Sequence, residues 1–268
     1  MLNKYLALLF MTAILVAFAS YPTQAQDQPL AIPTKGLVSY WTFDEVKKLK
    51  VEDIVGDNDG LLQDKQKVVK GKFGNALAFD GQKDFIILDP EKLPQGKTAI
   101  SISVWIFKEK KGFPDFQFLA QVGPNDCCHI SFSVLTFSGK RRVNNRIQGA
   151  GLMGPEMEMG KWQHVAAVYN GAKKYSLYVD GVEVGSQEVD FELDIQPGPI
   201  PGKLGQGATI GATTRHDSLW DGLMDEVAIY NVGLTAADVQ RLFNTQQIFA
   251  VDAARKLSLV WGAIKAGR

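Results

Sequence analysis

The sequence predicts an all-β fold: two antiparallel sheets packed face to face, with one short C-terminal helix. Three observations carry this. Short apolar runs recur from residue 37 to residue 230, separated by Gly, Pro, Asn and Asp. Residues 100–107 alternate, with Ile102, Val104 and Ile106 facing one way and Ser101 and Ser103 the other, as in a half-buried strand. Residues 220–243, WDGLMDEVAIYNVGLTAADVQRLF, pass from a strand pattern to a helical one. The acids Asp225 and Glu226 open that strand. Thr235 is a natural N-cap with Asp238 three residues on, and Ala236, Val239, Leu242 and Phe243 share one helical face.

The elements follow in order. Residues 37–43 (LVSYWTF) form the first strand, and 76–79 and 85–88 flank a turn at Asp80-Gly81. After 100–107 come 118–122 and 129–137. Residues 162–169 (WQHVAAVY) are apolar on both faces, as in a central strand. Residues 175–179 and 182–184 are joined by Asp180-Gly181, a hairpin signal because a type I′ turn needs positive φ at both central residues. Residues 209–212 and 223–230 complete the set. Residues 108–115, 123–126 and the Pro/Gly-rich 194–207 read as loops.

The N-terminus reads as a secretory signal peptide over residues 1–25. Lys4 precedes an uncharged apolar run at 6–18, and Thr23-Gln24-Ala25 fits a small-x-small cleavage site. The run is shorter than the roughly 20 residues of a spanning helix, and no cysteine follows it to carry a lipid. The mature chain is expected outside the cytoplasm: secreted, periplasmic or at the cell surface, with no membrane span after cleavage. Residues 36–245 read as one domain and 246–268 as a tail, in which Leu257, Val260, Trp261 and Ile264 share a face weakened by Gly262 and Gly267.

Lys plus Arg equals Asp plus Glu at 29 each, which argues against nucleic acid or an anionic membrane as partner. The two cysteines, Cys127 and Cys128, are adjacent, too close for an ordinary disulfide. A vicinal disulfide, an intermolecular bond or two free thiols remain open, and none of them staples the fold.

The order of motifs resembles the laminin-G-like family of the concanavalin A-like lectin/glucanase fold. The matching residues are GLVSYWTFDE (36–45), Asp53, Gly56 and Gly60, GKFGNALAFDG (71–81) and SISVWIF (101–107). They continue through GKWQHVAAVYNG (160–171), YSLYVDGVEVGS (175–186), GATIGA (207–212) and GLMDEVAIYNVGLTAADVQRLF (222–243). The resemblance implies a jelly-roll sandwich, often a structural Ca²⁺, and binding of sugar or protein more often than catalysis. Residues 127–145 and 194–207 depart from the pattern, in loops of the kind that carry ligand contacts.

Calcium takes six to eight oxygens. Acids cluster at Asp44 and Glu45, at Asp53, Asp57, Asn58 and Asp59, and at Asp225 and Glu226. The resemblance makes the first and last strands neighbours, so the clusters are expected to converge. Asp53, Asp59 and Asp225 are the foremost ligand candidates, joined by Asp44 and Glu226. Turn-capping acids facing water are the alternative. An EF-hand is excluded, because Val55 and Gln66 stand where it needs acids.

A second candidate is Glu188, Asp190 and Glu192, an E-x-D-x-E run like that of retaining glucanases, whose carboxyl groups must stand about 5–5.5 Å apart. Here the run follows a hairpin, and polar-out alternation explains it equally well. Gly149, Gly151 and Gly154 form a literal G-x-G-x-x-G, but no long helix follows, so it reads as a loop. His129, His164 and His216 are scattered, and Cys127-Cys128-His129 is too contiguous for zinc. Arg215, His216, Asp217 and Trp220 form a polar-aromatic loop suited to gripping a sugar. The expected function is non-catalytic binding of a glycan or an extracellular protein, supported by calcium. The alternatives are a glycoside hydrolase or lyase of the same fold and a structural or adhesive surface protein.

Overall fold

The computed structural model describes residues 32–109, 116–124, 129–148, 150–196 and 207–245. The leader, Cys127 and Cys128, Gly149, residues 197–206 and the tail lie outside the described residues. The strands are β1 (Leu37–Trp41), β2 (Val46–Lys47), β3 (Lys50–Val51), β4 (Gly60–Leu62), β5 (Lys67–Lys70) and β6 (Asn75–Asp80). Next come β7 (Ile86–Leu88), β8 (Ile100–Phe107), β9 (Phe116–Val122), β10 (Ile130–Phe137), β11 (Lys140–Ile147) and β12 (Ala150–Glu156). The last are β13 (Trp162–Tyr169), β14 (Lys174–Val179), β15 (Val182–Glu188), β16 (Ala208–Ile210) and β17 (Asp221–Tyr230), followed by helix α1 (Ala236–Asn244).

Two antiparallel sheets result. One runs β15-β14-β13-β8-β17-β6-β5, with β1 also paired to β17; the other runs β12-β11-β10-β9-β16-β7-β4-β3-β2. Their inner faces bury Trp41, Leu77, Ile86, Ile102, Phe132 and Val165 in one core. This is the two-layer solution for sheets with one apolar face each, and it matches the expected jelly-roll sandwich.

β8 and β13 begin and end as their alternation predicts. Two strands arise where loops were expected. β11, KRRVNNRI, hides its alternation under outward charges: Val143 and Ile147 point into the core while Arg142 and Arg146 stand on the other face. β12 contains Gly151 and Gly154 of the glycine motif that was read as a loop; Gly149 lies outside the described residues. Glycine gives no periodicity signal, so pairing with β11 decides that segment.

Helix α1 carries the expected capping box between Thr235 and Asp238. Its Val239 and Leu242 pack on the outer face of the eight-stranded sheet, against Tyr40, Ala166, Val168, Ala228 and Tyr230. That sheet is thus covered on both sides near β13, which explains the doubly apolar sequence of β13. Ala236, expected on the apolar face, is exposed, and Phe243 stacks on Trp105 with ring centroids 5.6 Å apart.

Asp225 and Glu226 do not open their strand, as the sequence suggested; they sit at its middle, in a bulge. β17 pairs β8 along one edge. On its other edge it pairs β6 through Asp221–Met224 and β1 through Val227–Tyr230. The two acids fall where β17 changes partner, and Glu226 takes a left-handed φ of 55° there.

Candidate functional site

The partner change in β17 creates a fork where the end of β1 meets the turn that opens β6. Asp44 lies just past β1, and its Oδ1 accepts the Asn75 backbone N–H at 2.8 Å. Asp225, fully buried, accepts the Phe73 N–H at 3.0 Å through Oδ2. Both carboxylates therefore grip one turn, residues 71–75. The turn's glycines follow from this: a Cβ on Gly71 would come 2.6 Å from Asp225 Oδ2, and one on Gly74 would strike Asp44 Oδ1.

The second carboxylate oxygen of Asp225 is buried with no hydrogen-bond partner among the described residues. Burial, with Asp44's charge adding to it, pushes the Asp225 carboxyl up to about 7. Burial lifts Glu226 up to about 8. An orphaned, buried carboxylate oxygen beside a second carboxylate is an arrangement that a hard cation would offset. Among the described residues no three His, Cys, Asp or Glu side chains gather into a ligand group, so carbonyl oxygens would have to complete such a shell.

Asp53 and Asp59, the other foremost candidates, lie elsewhere and do different work. Asp53 Oδ1 accepts the N–H groups of Tyr40 (2.9 Å), Val55 (3.1 Å) and Gly56 (2.9 Å), and Oδ2 accepts that of Asn58 (3.3 Å). Its lone pairs are spent on folding the 53–59 loop against β1, and Asp59 Oδ1 accepts the Asp53 N–H at 3.2 Å. A cleft of about 870 Å³ opens between this loop and the β2–β3 hairpin. Acids and lysines alternate around it, with Glu45 on Lys47 at 2.8 Å and Asp57 on Lys92 at 3.4 Å.

The outer face of the nine-stranded sheet carries a polar row in which Thr209, Gln121 and Ser131 are buried while Arg146 and Gly151 are exposed. Strand register aligns Ile87, Thr209, Gln121, Ser131, Arg146 and Gly151 across β7, β16, β9, β10, β11 and β12. Directly paired residues point to the same side. The neighbours Ile130 and Phe132 belong to the core, so this row faces outward. From Thr209 to Gly151 it spans about 19 Å at the usual ~4.8 Å strand spacing. Gln121 Nε2 donates to Thr214 Oγ1 at 3.2 Å, and the Thr214 N–H donates back to Gln121 Oε1 at 3.3 Å. The 213–217 turn is thereby fixed at the edge of the row. One row over, Asn144 Nδ2 donates to Ser133 Oγ at 3.3 Å. The strands of this sheet contain one carboxylate, Glu156, against Lys47, Lys50, Lys140, Arg141, Arg142 and Arg146, and Lys140 holds Glu156 at 3.1 Å.

The expected ligand loop divides. His216 is stacked on Phe85 at 4.5 Å, Asp217 accepts the Thr213 hydroxyl at 2.7 Å, and Arg215 is exposed. These three stay at the edge of the polar row. Trp220 is corrected: it is fully buried in the core, under the Lys108 ammonium at 4.8 Å from its ring, so it has no face to offer a sugar. Lys108 is itself buried, bonded to Asp221 Oδ2 at 3.0 Å, and burial lowers it to about 8.

Glu188 ends the edge strand β15, and Asp190 and Glu192 lie beyond it. All three are exposed, while Val189 and Phe191 between them lean on the core. Lys97 holds Glu192 at 2.8 Å and keeps its carboxyl below the usual range. Sequence reasoning did not single out Gln121, Ser131 and Arg146, for which the serines alternating with Ile130, Phe132 and Val134 were a signal, and it read Gly151 as part of a loop.

His164 Nε2 meets Ser103 Oγ at 2.7 Å, but the pair is buried and Nδ1 has no partner among the described residues, so no oriented base forms. Burial lowers His164 to about 3 from 6.5. The unfolded chain binds the proton first, so this residue's stabilisation is complete above about pH 6.5 and is lost as pH falls toward 3. Unfolding in urea between pH 7 and 4 should show a steeper loss, by up to roughly 1.4 kcal/mol per pH unit, for wild type than for His164→Gln. Equal slopes would remove His164 from the acid response.

A laminin G family model described as the concanavalin A-like lectin/glucanases superfamily matches residues 80–240. No curated protein matches the sequence. Among solved structures, the chain is similar to domain 4 of AbnA, a GH43 extracellular arabinanase from Geobacillus stearothermophilus in complex with arabinotriose. The identity is 19%, the TM-score 0.58, and the match covers 77% of this chain and 97% of that one. It is similar to the binding domain of Paraclostridial Mosquitocidal Protein 1 at 15% identity and a TM-score of 0.58, over 78% of this chain and 52% of that one. It is also similar to Trypanosoma rangeli sialidase at 15% identity and a TM-score of 0.57, over 83% and 35%. At these identities the likeness is one of fold, and the chain spans only part of the toxin domain and of the sialidase.

Proposed function

Because the chain belongs to the laminin G type of the concanavalin A-like lectin/glucanases superfamily, we propose that it is an exported, non-catalytic domain that binds a glycan. The outer face of the nine-stranded sheet is the binding surface. The observation that carries this is Arg146, an exposed guanidinium on a rigid sheet beside the unpartnered Ser131 hydroxyl, at the end of a polar row whose Thr209 and Gln121 are buried, and suited to directional bonds with sugar hydroxyls. Glycoside hydrolysis ordinarily needs two carboxyl groups flanking the bond, and the strands behind this face hold one, already paired. The neighbour solved with arabinotriose supports a sugar as ligand. The likeness to a toxin binding domain supports an extracellular protein as the alternative partner. No helix among the described residues is long and apolar enough to cross a membrane.

Asp44 and Asp225 would hold a Ca²⁺, with further oxygen ligands completing its shell. Its positive charge would stabilise two clustered carboxylates and tie β1, β6 and β17 together at their fork. It has no part in sugar chemistry in this reading; it fixes the frame.

The test is glycan-array binding with Gln121→Ala and Glu188→Gln variants. Gln121→Ala should weaken capture about tenfold by releasing the 213–217 turn that its buried amide fixes beside the face, while Glu188→Gln should bind as wild type. Turnover of a captured glycan that disappears in Glu188→Gln would establish an enzyme instead.

A further inference from the structure

Gly151 sits inside β12, on the outward row, opposite Arg146. The glycines of its motif are not alike. A Cβ on Gly154 would press to 3.1 Å on Leu177 where the two sheets meet, so packing accounts for that glycine. A Cβ on Gly151 would meet only Arg146 Cγ and Asn144 Oδ1, both at 3.6 Å, an ordinary contact, and the backbone there is not left-handed. The fold therefore does not require glycine at 151. In a strand it costs stability and leaves an open notch.

The groups around the notch share one chemistry. Arg146 is exposed and has no ion-pair partner among the described residues. Ser131, opposite Arg146 on β10, is 1% exposed, and its hydroxyl has no hydrogen-bond partner among the described residues. Asn144 contributes an amide oxygen to the rim. A fork-shaped cation, an unused hydroxyl and an acceptor, on a sheet whose strands hold one carboxylate, the Lys140-bound Glu156, complement a carboxylate that carries neighbouring hydroxyls.

We propose that Gly151, Arg146, Ser131 and Asn144 form a subsite that takes the carboxylate of an acidic sugar, so that the domain's ligand is an anionic glycan. This rests on the outer sheet face being the glycan surface. Arg146 reads the carboxylate, Ser131 and Asn144 read the adjoining hydroxyls, and the missing side chain at 151 admits the ring.

The experiment uses isothermal titration with an acidic panel (oligogalacturonate, oligoalginate, hyaluronate hexasaccharide and sialyllactose) and the methyl-ester or neutral counterpart of each. Wild type should bind an acidic member about 10- to 100-fold more tightly than its neutral counterpart. Arg146→Gln should lose that preference. Gly151→Val should lose binding while its melting temperature stays level or rises, since the contacts at 3.6 Å tolerate a side chain. Equal binding of acidic and neutral members, unaffected by Arg146→Gln, would overturn the inference and leave the glycan reading standing. Binding to no glycan at all would remove both. Displacement by poly-aspartate, with no oligosaccharide of either kind bound, would assign the notch to an acidic protein segment and overturn it too.

Discussion

Asp225→Asn protein should match wild type in thermal stability under chelator and should not respond to calcium. Wild type at 100 times its dissociation constant should gain about 2.7 kcal/mol, roughly 5–10 °C in Tm for a domain of this size. Asparagine keeps the acceptor for the Phe73 N–H and removes a carboxylate that burial already disfavours, so the metal-free fold loses little. The effect should grow with pH. A carboxyl lifted from 3.8 to about 7 in the fold favours the folded state while protonated, and that contribution is lost as pH rises toward 7. A cation would offset the ionised form, so its stabilisation should be larger at pH 8 than at pH 6. Differential scanning fluorimetry with calcium or chelator at both values checks this. An undiminished calcium response in Asp225→Asn, with loss in Asp59→Asn, would move the metal to the 53–59 loop.

Trp220→Ala should destabilise the domain by roughly 3–5 kcal/mol, the usual cost of truncating a large buried aromatic, with a fall in Tm of about 6–20 °C. The ring is fully buried and carries the Lys108 ammonium on its face, so its loss opens a cavity and removes a cation–π contact from a lysine that cannot reach water. Trp220→Phe should recover part of the loss by keeping an aromatic floor. Chemical denaturation of the three proteins measures this. An alanine variant of unchanged stability that has lost ligand would return Trp220 to the binding surface.

The architecture was legible because it rests on local patterns. Alternation placed β8 and β13, Asp180-Gly181 placed the β14–β15 hairpin, and Thr235 with Asp238 placed the start of α1. β11 and β12 escaped because charge and glycine carry no period, and only pairing, of β11 with β10 and of β12 with β11, makes them strands.

The candidate site was legible in composition but not in arrangement. The acids Asp44, Asp53, Asp59 and Asp225 all appear in the sequence as oxygen donors. Nothing in it tells that Asp53 spends its oxygens on Tyr40, Val55, Gly56 and Asn58, while one oxygen of Asp225 is left bare. That difference arises at the fork in β17, where segments more than a hundred residues apart meet. The row from Thr209 to Gly151 likewise joins strands scattered over nearly a hundred residues. By itself the sequence determined which residues alternate, turn and cap, because those depend on neighbours within a few positions. The tertiary structure alone decided which carboxylate stays unsatisfied and which polar residues share a face, because hydrogen-bond supply and strand register are set by partners distant along the chain.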